Sequence, residues 1–270
     1  TDKEPPALLA KLLGFGALSC LPAIVVELIL SAIIERLNVR NVYLGYFLEA
    51  FVVAGLTEET CKFLFLRTTW RNPAFDYQFD AIVYAVMVAL GFAAFENVKY
   101  VYSYGFATGL VRAVTAVPGH AIFGVFMGYF YGYAKLSDYW GREDDCRAYL
   151  ALSVVVPVLM HGCYDFLAFT QESDSRFTLL FYAYLVALYV FGILRVMTAA
   201  SHARRCLTIS AVCSTPCRRS TATGTTTSGA EREHLIRTHL KSRRPCQIRQ
   251  GRLFAMIQRL KTAGMPSAAR

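Results

Sequence analysis

The sequence predicts an all-α membrane protein: a polytopic bundle of about six transmembrane helices, followed by a disordered, basic C-terminal tail. The 270 residues are 55% hydrophobic, and their mean hydropathy of +0.38 is above that of typical soluble proteins. Apolar runs long enough to span a bilayer recur, and only helices or closed barrels satisfy their backbone groups in lipid. The basic residues concentrate at the end, where residues 200–270 hold 14 Lys/Arg against 2 acids.

Six apolar segments are long enough to cross a membrane. They are predicted at residues 7–34, 41–66, 80–104, 109–134, 148–169 and 177–199. The first exceeds the length of a signal-peptide core, so we predict a retained span. The connection at residues 103–105 is so short that the third and fourth spans are expected to form an antiparallel helical hairpin.

The distribution of Lys and Arg predicts that both termini are cytoplasmic. An even number of spans places the termini on one side of the membrane, and basic residues favour the cytoplasmic side. With the N-terminus inside, the inner segments hold the basic tail together with Lys3, Arg67, Arg71, Lys135, Arg142 and Arg147.

Residues 200–270 are rich in Arg, Ser and Thr and have too few apolar residues to offset the entropy of ordering, so we predict disorder. Their cysteine and histidine spacing loosely resembles a Cys2His2 zinc finger (Cys213, Cys217, His234 and His239). The intervening residues supply no apolar core, so we expect neither a zinc finger nor a nucleic-acid partner. The positive charge fits contact with anionic membrane lipid instead.

Two adjacent carboxylates, Glu58 and Glu59, lie inside the second apolar segment. Ionisable groups at such positions are usually functional and require partners. Lys62 is one helical turn from Glu58, where an ion pair would reduce the free-energy cost of burial. Neighbouring helical positions point about 100° apart, so both carboxylates face one cavity only if it lies over the seam between them. The alternative is an interfacial cluster that snorkels towards the headgroups.

The third and fourth segments each contribute another ionisable residue. Glu96 is followed by Asn97 and Tyr100, and this group is either part of a site or the polar end of a span. His120 follows Pro118-Gly119, where a helix can break towards a cavity; alternatively it is a structural hydrogen-bonding residue. The small-residue stripe after it predicts close helix packing (Gly124, Gly128 and Gly132).

His161 and Asp165 stand four residues apart in the fifth segment, so both can face one point. This spacing is compatible with a metal-binding pair, an oriented imidazole or a pair that stabilises an oxyanion. Glu27 and Glu49 also lie in apolar segments without a local partner pattern, and we interpret them as packing or cavity-lining groups.

Together these groups indicate a hydrolytic site in which a carboxylate deprotonates water while histidines and acids bind a metal or stabilise an oxyanion. The sequence contains no His-Glu-x-x-His, Gly-x-Ser-x-Gly or phosphate-loop motif. A second hypothesis is a non-enzymatic membrane protein, either a proton- or cation-coupled transporter or an inactive scaffold. The absence of an evident internal repeat argues against a transporter.

Four motifs follow one another along the chain: Glu58-Glu59-x-x-Lys62, Gly91-Phe92-Ala93-x-x-Glu96-Asn97-x-x-Tyr100, Gly119-His120-x3-Gly124 and His161-x3-Asp165. In this order they resemble the PrsW family of polytopic intramembrane proteases, over about residues 40–170 and extending to 199. That family is named for a bacterial member that cleaves an anti-sigma factor, and it is distantly related to the CAAX prenyl endopeptidases.

The resemblance implies hydrolysis of a peptide bond in a single-span membrane-protein substrate, such as an anti-sigma-factor-like regulator. It implies a catalytic set of Glu58, Glu59, Glu96, His120 and His161, with support from Lys62, Asn97, Tyr100 and Asp165. It also implies a divalent metal, zinc, held by Glu96, His120 and His161. Which carboxylate of the Glu58-Glu59 pair is the base stays open.

The motifs depart from the CAAX endopeptidases at two positions. Glu96 stands where those enzymes have His, and Asp165 where Asn or a similar residue is expected. These departures argue against prenylated substrates, and they leave open a glutamate that acts without a metal.

Depth presents a difficulty for a single site. Counting residues places Glu58 and Glu59 towards the inner end of the second segment and Glu96 towards the outer end of the third. Helix tilt, a break near Gly55 or shifted helix boundaries must bring them together.

Overall fold

The computed structural model describes residues 4–213, without the side chains of Glu172 and residues 202–213, and it contains only helices and their connections in this range. The predicted all-α class is therefore confirmed. The helices are α1 (Pro6–Arg36), α2 (Val42–Leu48), a π-helix (Glu49–Leu56), α3 (Thr57–Leu66), a short 3-10 helix (Arg67–Thr69), α4 (Gln78–Tyr104), α5 (Phe106–Val114), α6 (Ala116–Tyr139), α7 (Glu143–Ser173) and α8 (Arg176–Cys213). Residues up to Arg204 form one compact unit, which is the unit considered below.

Within residues 4–213, five stretches are long and apolar enough to cross a membrane: Pro6–Arg36, Gln78–Tyr104, Phe106–Tyr139, Glu143–Gln171 and Arg176–Ser201. The segment predicted at 41–66 is a continuous helical rod made of α2, the π-helix and α3. Helix α8 extends beyond the predicted end at 199. The remainder of the predicted disordered tail, residues 214–270, lies outside the described residues.

Local sequence explains where several helices begin and end. The Asn41 side chain accepts hydrogen bonds from the backbone N–H groups of Tyr43 and Leu44 and so caps α2. Gly105 ends α4 with a φ of 90°, a backbone conformation that favours glycine. The antiparallel pair predicted for the third and fourth spans is formed by α4 and α6. The predicted fourth span is divided, however, because its first part belongs to the short helix α5, which leads into α6 at Thr115.

Helix α4 lies at the centre of the bundle. It packs antiparallel to α6, because Gln78 adjoins Gly132 while Ala89 adjoins Gly124. It packs parallel to α1, where Gly16 lies against Val88. Helix α7 contacts α6 and the π-helix. The Tyr184 hydroxyl of α8 donates to the Met160 carbonyl of α7 at 2.6 Å.

Glycines allow these helices to approach closely. A Cβ atom on Gly128 would lie 2.4 Å from the Ala81 carbonyl oxygen, and one on Gly132 would lie 2.8 Å from that of Gln78. The predicted packing role of the glycine stripe is confirmed. On the other face of α4, a Cβ on Gly91 would lie 1.9 Å from the Leu13 carbonyl oxygen. These contacts hold α1, α4 and α6 in one register.

Two glycines of α1 provide a test of this close approach. A Cβ on Gly16 would lie 2.0 Å from the Val88 carbonyl oxygen, whereas one on Gly14 would meet nothing within 4 Å. We expect Gly16→Ala to destabilise the protein by about 1–3 kcal/mol, because the backbones of α1 and α4 must separate. Gly14→Ala should be neutral or stabilising, since alanine favours helix. Equilibrium unfolding in mixed detergent micelles measures both; equal unfolding midpoints would contradict the contact.

Candidate active site

Four buried side chains meet where α3, α6 and α7 pack together: Glu58, Glu59, His120 and His161. Each offers one potential ligand atom, and these atoms all lie within 4.8 Å of one another. The structure therefore brings both residues of the Glu-Glu motif and both predicted histidines into one group. We call these four residues the acid–histidine cluster.

The ammonium group of Lys62 lies inside this cluster. Its Nζ donates to Glu59 Oε1 at 2.7 Å and to Glu58 Oε2 at 3.2 Å, and it lies 3.0 Å from His120 Nδ1. It also lies 4.0 Å from the ring centroid of Phe92, a cation–π contact. The predicted Glu58–Lys62 ion pair is present, and it belongs to a larger network.

His120 connects the cluster to Glu96. Because the Lys62 ammonium can only donate, His120 Nδ1 accepts its hydrogen bond and Nε2 carries the proton. His120 Nε2 then donates to Glu96 Oε2 at 3.0 Å, and Arg112 Nη2 binds the same oxygen at 2.8 Å. The Glu96 carboxylate thus lies on the Nε2 side of His120, outside the four-residue cluster.

His161 has the same arrangement on the opposite side. Its Nδ1 lies 2.9 Å from Glu59 Oε1, and its Nε2 lies 3.2 Å from Asp165 Oδ2. Both imidazoles therefore direct Nδ1 into the cluster and Nε2 towards a carboxylate. A carboxylate behind each histidine fixes the orientation of the ring.

The π-helix and a close helix contact position the Glu-Glu motif. The π-helix covers Gly55, near which a helix break was one of the three predicted alternatives, and its wider turns shift the phase of α3. A Cβ on Gly55 would lie 3.2 Å from the Val158 carbonyl oxygen and 3.3 Å from Gly162 N, so the rod and α7 almost touch here. This contact places Glu59 opposite His161.

A cavity of about 360 Å³ opens beside the cluster. Glu58, Glu96, His120 and His161 contribute to its wall, whereas Glu59 does not, within the described part of the chain. The condition under which both glutamates would face one cavity is therefore not met: Glu58 faces the cavity and Glu59 is enclosed. Other polar groups also line the cavity: Glu27, Ser31, Glu49, Lys99, Tyr100, Arg112 and Asp165.

The difference in depth between the motifs is bridged by side chains. Polar contacts run in a row from Lys62 through His120 and Glu96 to Arg112. The groups therefore do not need to be level, since each one satisfies the next. Tyr100 supports the far end of the row, because the Arg112 guanidinium carbon lies 3.6 Å from its ring centroid.

Asn97 has a different position from the one expected of a site residue. Its amide donates to the Gly109 carbonyl at 3.2 Å and so ties α5 to α4, and it does not line the cavity. Arg112, which lines the cavity and binds Glu96, is not among the site residues predicted from the sequence. The signal was available, because Arg112 is a charged residue within the predicted span 109–134 and calls for a partner as Glu96 does.

The cluster has the donor set that a metal such as zinc requires: carboxylate oxygens and imidazole nitrogens converging on one point. Glu59 Oε2 is buried and accepts no hydrogen bond from the described residues. A buried carboxylate oxygen without a donor is unfavourable unless a cation or a donor group binds it. The residues therefore fit a divalent metal, with Glu59 in place of the predicted Glu96 within the group of close ligand atoms.

A sequence profile described as PrsW family intramembrane metalloprotease matches residues 4–194. The chain belongs to the PrsW family. It is 34% identical over 197 residues to Protease PrsW of Oceanobacillus iheyensis, covering 73% of this chain and 85% of that protein. It is also 34% identical over 202 residues to Protease PrsW of Bacillus subtilis, covering 74% and 86%. The corresponding protein of Clostridioides difficile is 32% identical over 189 residues, covering 68% and 76%. No solved structure matches.

Membership of the PrsW family confirms the resemblance and extends it to α1, which carries the cavity residues Glu27 and Ser31. The protein is an integral membrane peptidase of the intramembrane type, which acts on a protein substrate. This finding supports the enzyme hypothesis over the transporter and scaffold alternatives.

Disturbing the contact between the π-helix and α7 should misplace His161 and lower peptidase activity. A Cβ on Gly162 would lie 2.3 Å from a Phe51 ring carbon, beside His161. We expect Gly162→Ala to lower peptidase activity by about a hundredfold, because a shift of about 1 Å misplaces the imidazole. Gly45→Ala is the matched control, since nothing lies within 4 Å of its Cβ position. Cleavage of a membrane substrate measures both, and full activity of Gly162→Ala would contradict the positioning role.

Proposed function

We propose that this protein is a zinc-dependent intramembrane endopeptidase in which Glu58 activates the hydrolytic water and Glu59, His120 and His161 hold the metal. The observation that carries the proposal is the difference between the two adjacent glutamates. Glu58 lines the cavity that a substrate can enter, whereas Glu59 is fully enclosed with Oε1 2.9 Å from His161 Nδ1. A base must reach water and substrate, while a ligand only has to reach the metal.

The proposed ligand set has Glu59 where the sequence analysis placed Glu96. Glu96 and Asp165 lie behind the histidines at Nε2, and we assign them to orienting His120 and His161. Arg112 supports this arrangement by neutralising Glu96 at 2.8 Å. When bound, zinc supplies a Lewis acid that polarises the scissile carbonyl group and favours ionisation of water.

The chain's own groups then carry the proton. Glu58 accepts a proton from water as the water oxygen forms its bond to the scissile carbonyl carbon. The protonated Glu58 donates this proton to the amide nitrogen as the C–N bond breaks, which releases an amine and restores the carboxylate. His120 and His161 stay fixed throughout, because carboxylates hold both rings.

The cavity is where the scissile peptide bond of a substrate would meet Glu58, because Glu58, His120 and His161 all contribute to its wall. We propose a single-span membrane protein as the substrate, of the anti-sigma-factor-like type implied by the family, with both termini of the peptidase in the cytoplasm.

The two glutamates should differ when each is changed to the isosteric amide. We expect Glu58→Gln to lower cleavage by about 10²–10⁴-fold with zinc retained, because the base is lost and the ligands remain. Glu59→Gln should lose both zinc and activity. Zinc content after gel filtration, measured beside cleavage of a membrane substrate, separates the two. Loss of zinc in Glu58→Gln with retention in Glu59→Gln would reverse the assignment.

The carboxylates behind the histidines should influence metal affinity indirectly. We expect Glu96→Gln and Asp165→Asn each to weaken zinc binding by about 10–100-fold, because the imidazoles lose their orienting partners. Glu35→Gln, an exposed acid at the end of α1, is the matched control. Competition with a chromophoric chelator gives the affinities. If Glu96→Gln abolished binding as completely as Glu59→Gln, Glu96 would be a ligand, as the sequence analysis predicted.

A further inference from the structure

Lys62 lies inside the acid–histidine cluster, but the proposed reaction gives it no role. Its side chain is 1% exposed, and its Nζ contacts one atom each of Glu58, Glu59 and His120. An ammonium group has three hydrogens, so these three partners use its full donor capacity. Lys62 is therefore bound at the centre of the cluster as an ion would be.

The ammonium group and a metal ion require the same atoms. The Nδ1 of a neutral imidazole has a single lone pair, which can accept from Lys62 or bind a metal but cannot do both. Lys62 also holds the Glu59 carboxylate, whose Oε1 accepts its hydrogen bond at 2.7 Å. Two cations held this close in a buried site would also repel each other strongly.

We propose that Lys62 is a built-in cation that occupies the metal position of the metal-free protein and is displaced when the metal binds. The proposal rests on the metal site of the proposed function. In the metal-free protein, Lys62 holds the two carboxylates and His120 in place, so the ligands do not repel one another. Metal loading is thereby coupled to a movement of one side chain.

The displaced amine has a place to move to. Lys62 already lies over the Phe92 ring, and a small cavity of about 10 Å³ adjoins that ring. Three acidic residues, Glu27, Glu58 and Glu96, contribute to the walls of this cavity, and so does the basic residue Lys99. The ammonium can therefore leave His120 Nδ1 without losing all of its acidic partners.

The test compares zinc binding by the unaltered protein and by Lys62→Met in detergent. Without its competitor, zinc should bind the variant at least about tenfold more tightly, measured by chelator competition. The zinc-free variant should also unfold at least about 3 °C lower, because the carboxylates lose their counter-ion, and zinc should restore its stability. Lys11→Met is the matched control, since Lys11 also lies over a phenylalanine ring, that of Phe15, but contacts no cluster residue.

Unchanged or weaker zinc binding by Lys62→Met would overturn the proposal. If this variant folds only in the presence of zinc, that result supports it. If it folds under neither condition, Lys62→Met/Glu58→Gln, which removes one positive and one negative charge together, should still bind zinc more tightly than Glu58→Gln alone. Failure of the proposed function gives a different pattern: neither the unaltered protein nor any variant binds zinc, and cleavage continues after chelation.

Discussion

The burial of charge in an apolar helical bundle is the constraint on which this structure depends. Glu58, Glu59, Lys62 and Glu96 are all buried in segments rich in apolar residues. No single helix can satisfy such groups, and in lipid an unpartnered charge is strongly unfavourable. The solution is a continuous network in which each charge binds the next, from the Glu-Glu motif through His120 to Arg112. The helices that carry these residues must therefore pack in one arrangement.

Glycine contacts make that arrangement possible. Charged networks require side-chain atoms within about 3 Å of one another, and the helix backbones must come close enough to allow this. Gly16 and Gly91 bring α1 against α4, the Gly124 stripe brings α6 against α4, and Gly162 brings α7 against the π-helix. Within a bilayer, hydrophobic exclusion from water does not drive helices together, so small residues and polar contacts take a larger share of the association. The same close helix contacts therefore provide both the packing of the bundle and the geometry of the site.

The π-helix has a specific part in the site. It immediately precedes the Glu-Glu motif and changes the rotation of α3 relative to α2, so that Glu58 faces the cavity while Glu59 faces His161. On α3 the two neighbouring residues point about 100° apart, and the rotation of this helix decides which of them faces the cavity. Glu59 is enclosed and Glu58 faces the cavity, so the two carboxylates have different surroundings. Such a difference is required if one carboxylate binds a metal and the other transfers a proton.

The sequence predicts the helical class and the approximate positions of the six segments, because the length of an apolar run is a property of the residues themselves. It also predicts one site that contains Glu58, Glu59, His120 and His161, because each charge within a membrane span requires a partner. The family resemblance followed from the same residues. Helix rotation and cross-helix contacts are not local properties, so only packing could separate Glu58 from Glu59, place Glu96 behind His120 and bring Arg112 from α5 to Glu96. The same holds for the position of Lys62: its spacing predicted a partner in Glu58, but His120 lies 58 residues further along the chain. In the folded protein, the Glu58–Lys62 ion pair of α3 therefore lies at the centre of a site formed by α3, α6 and α7.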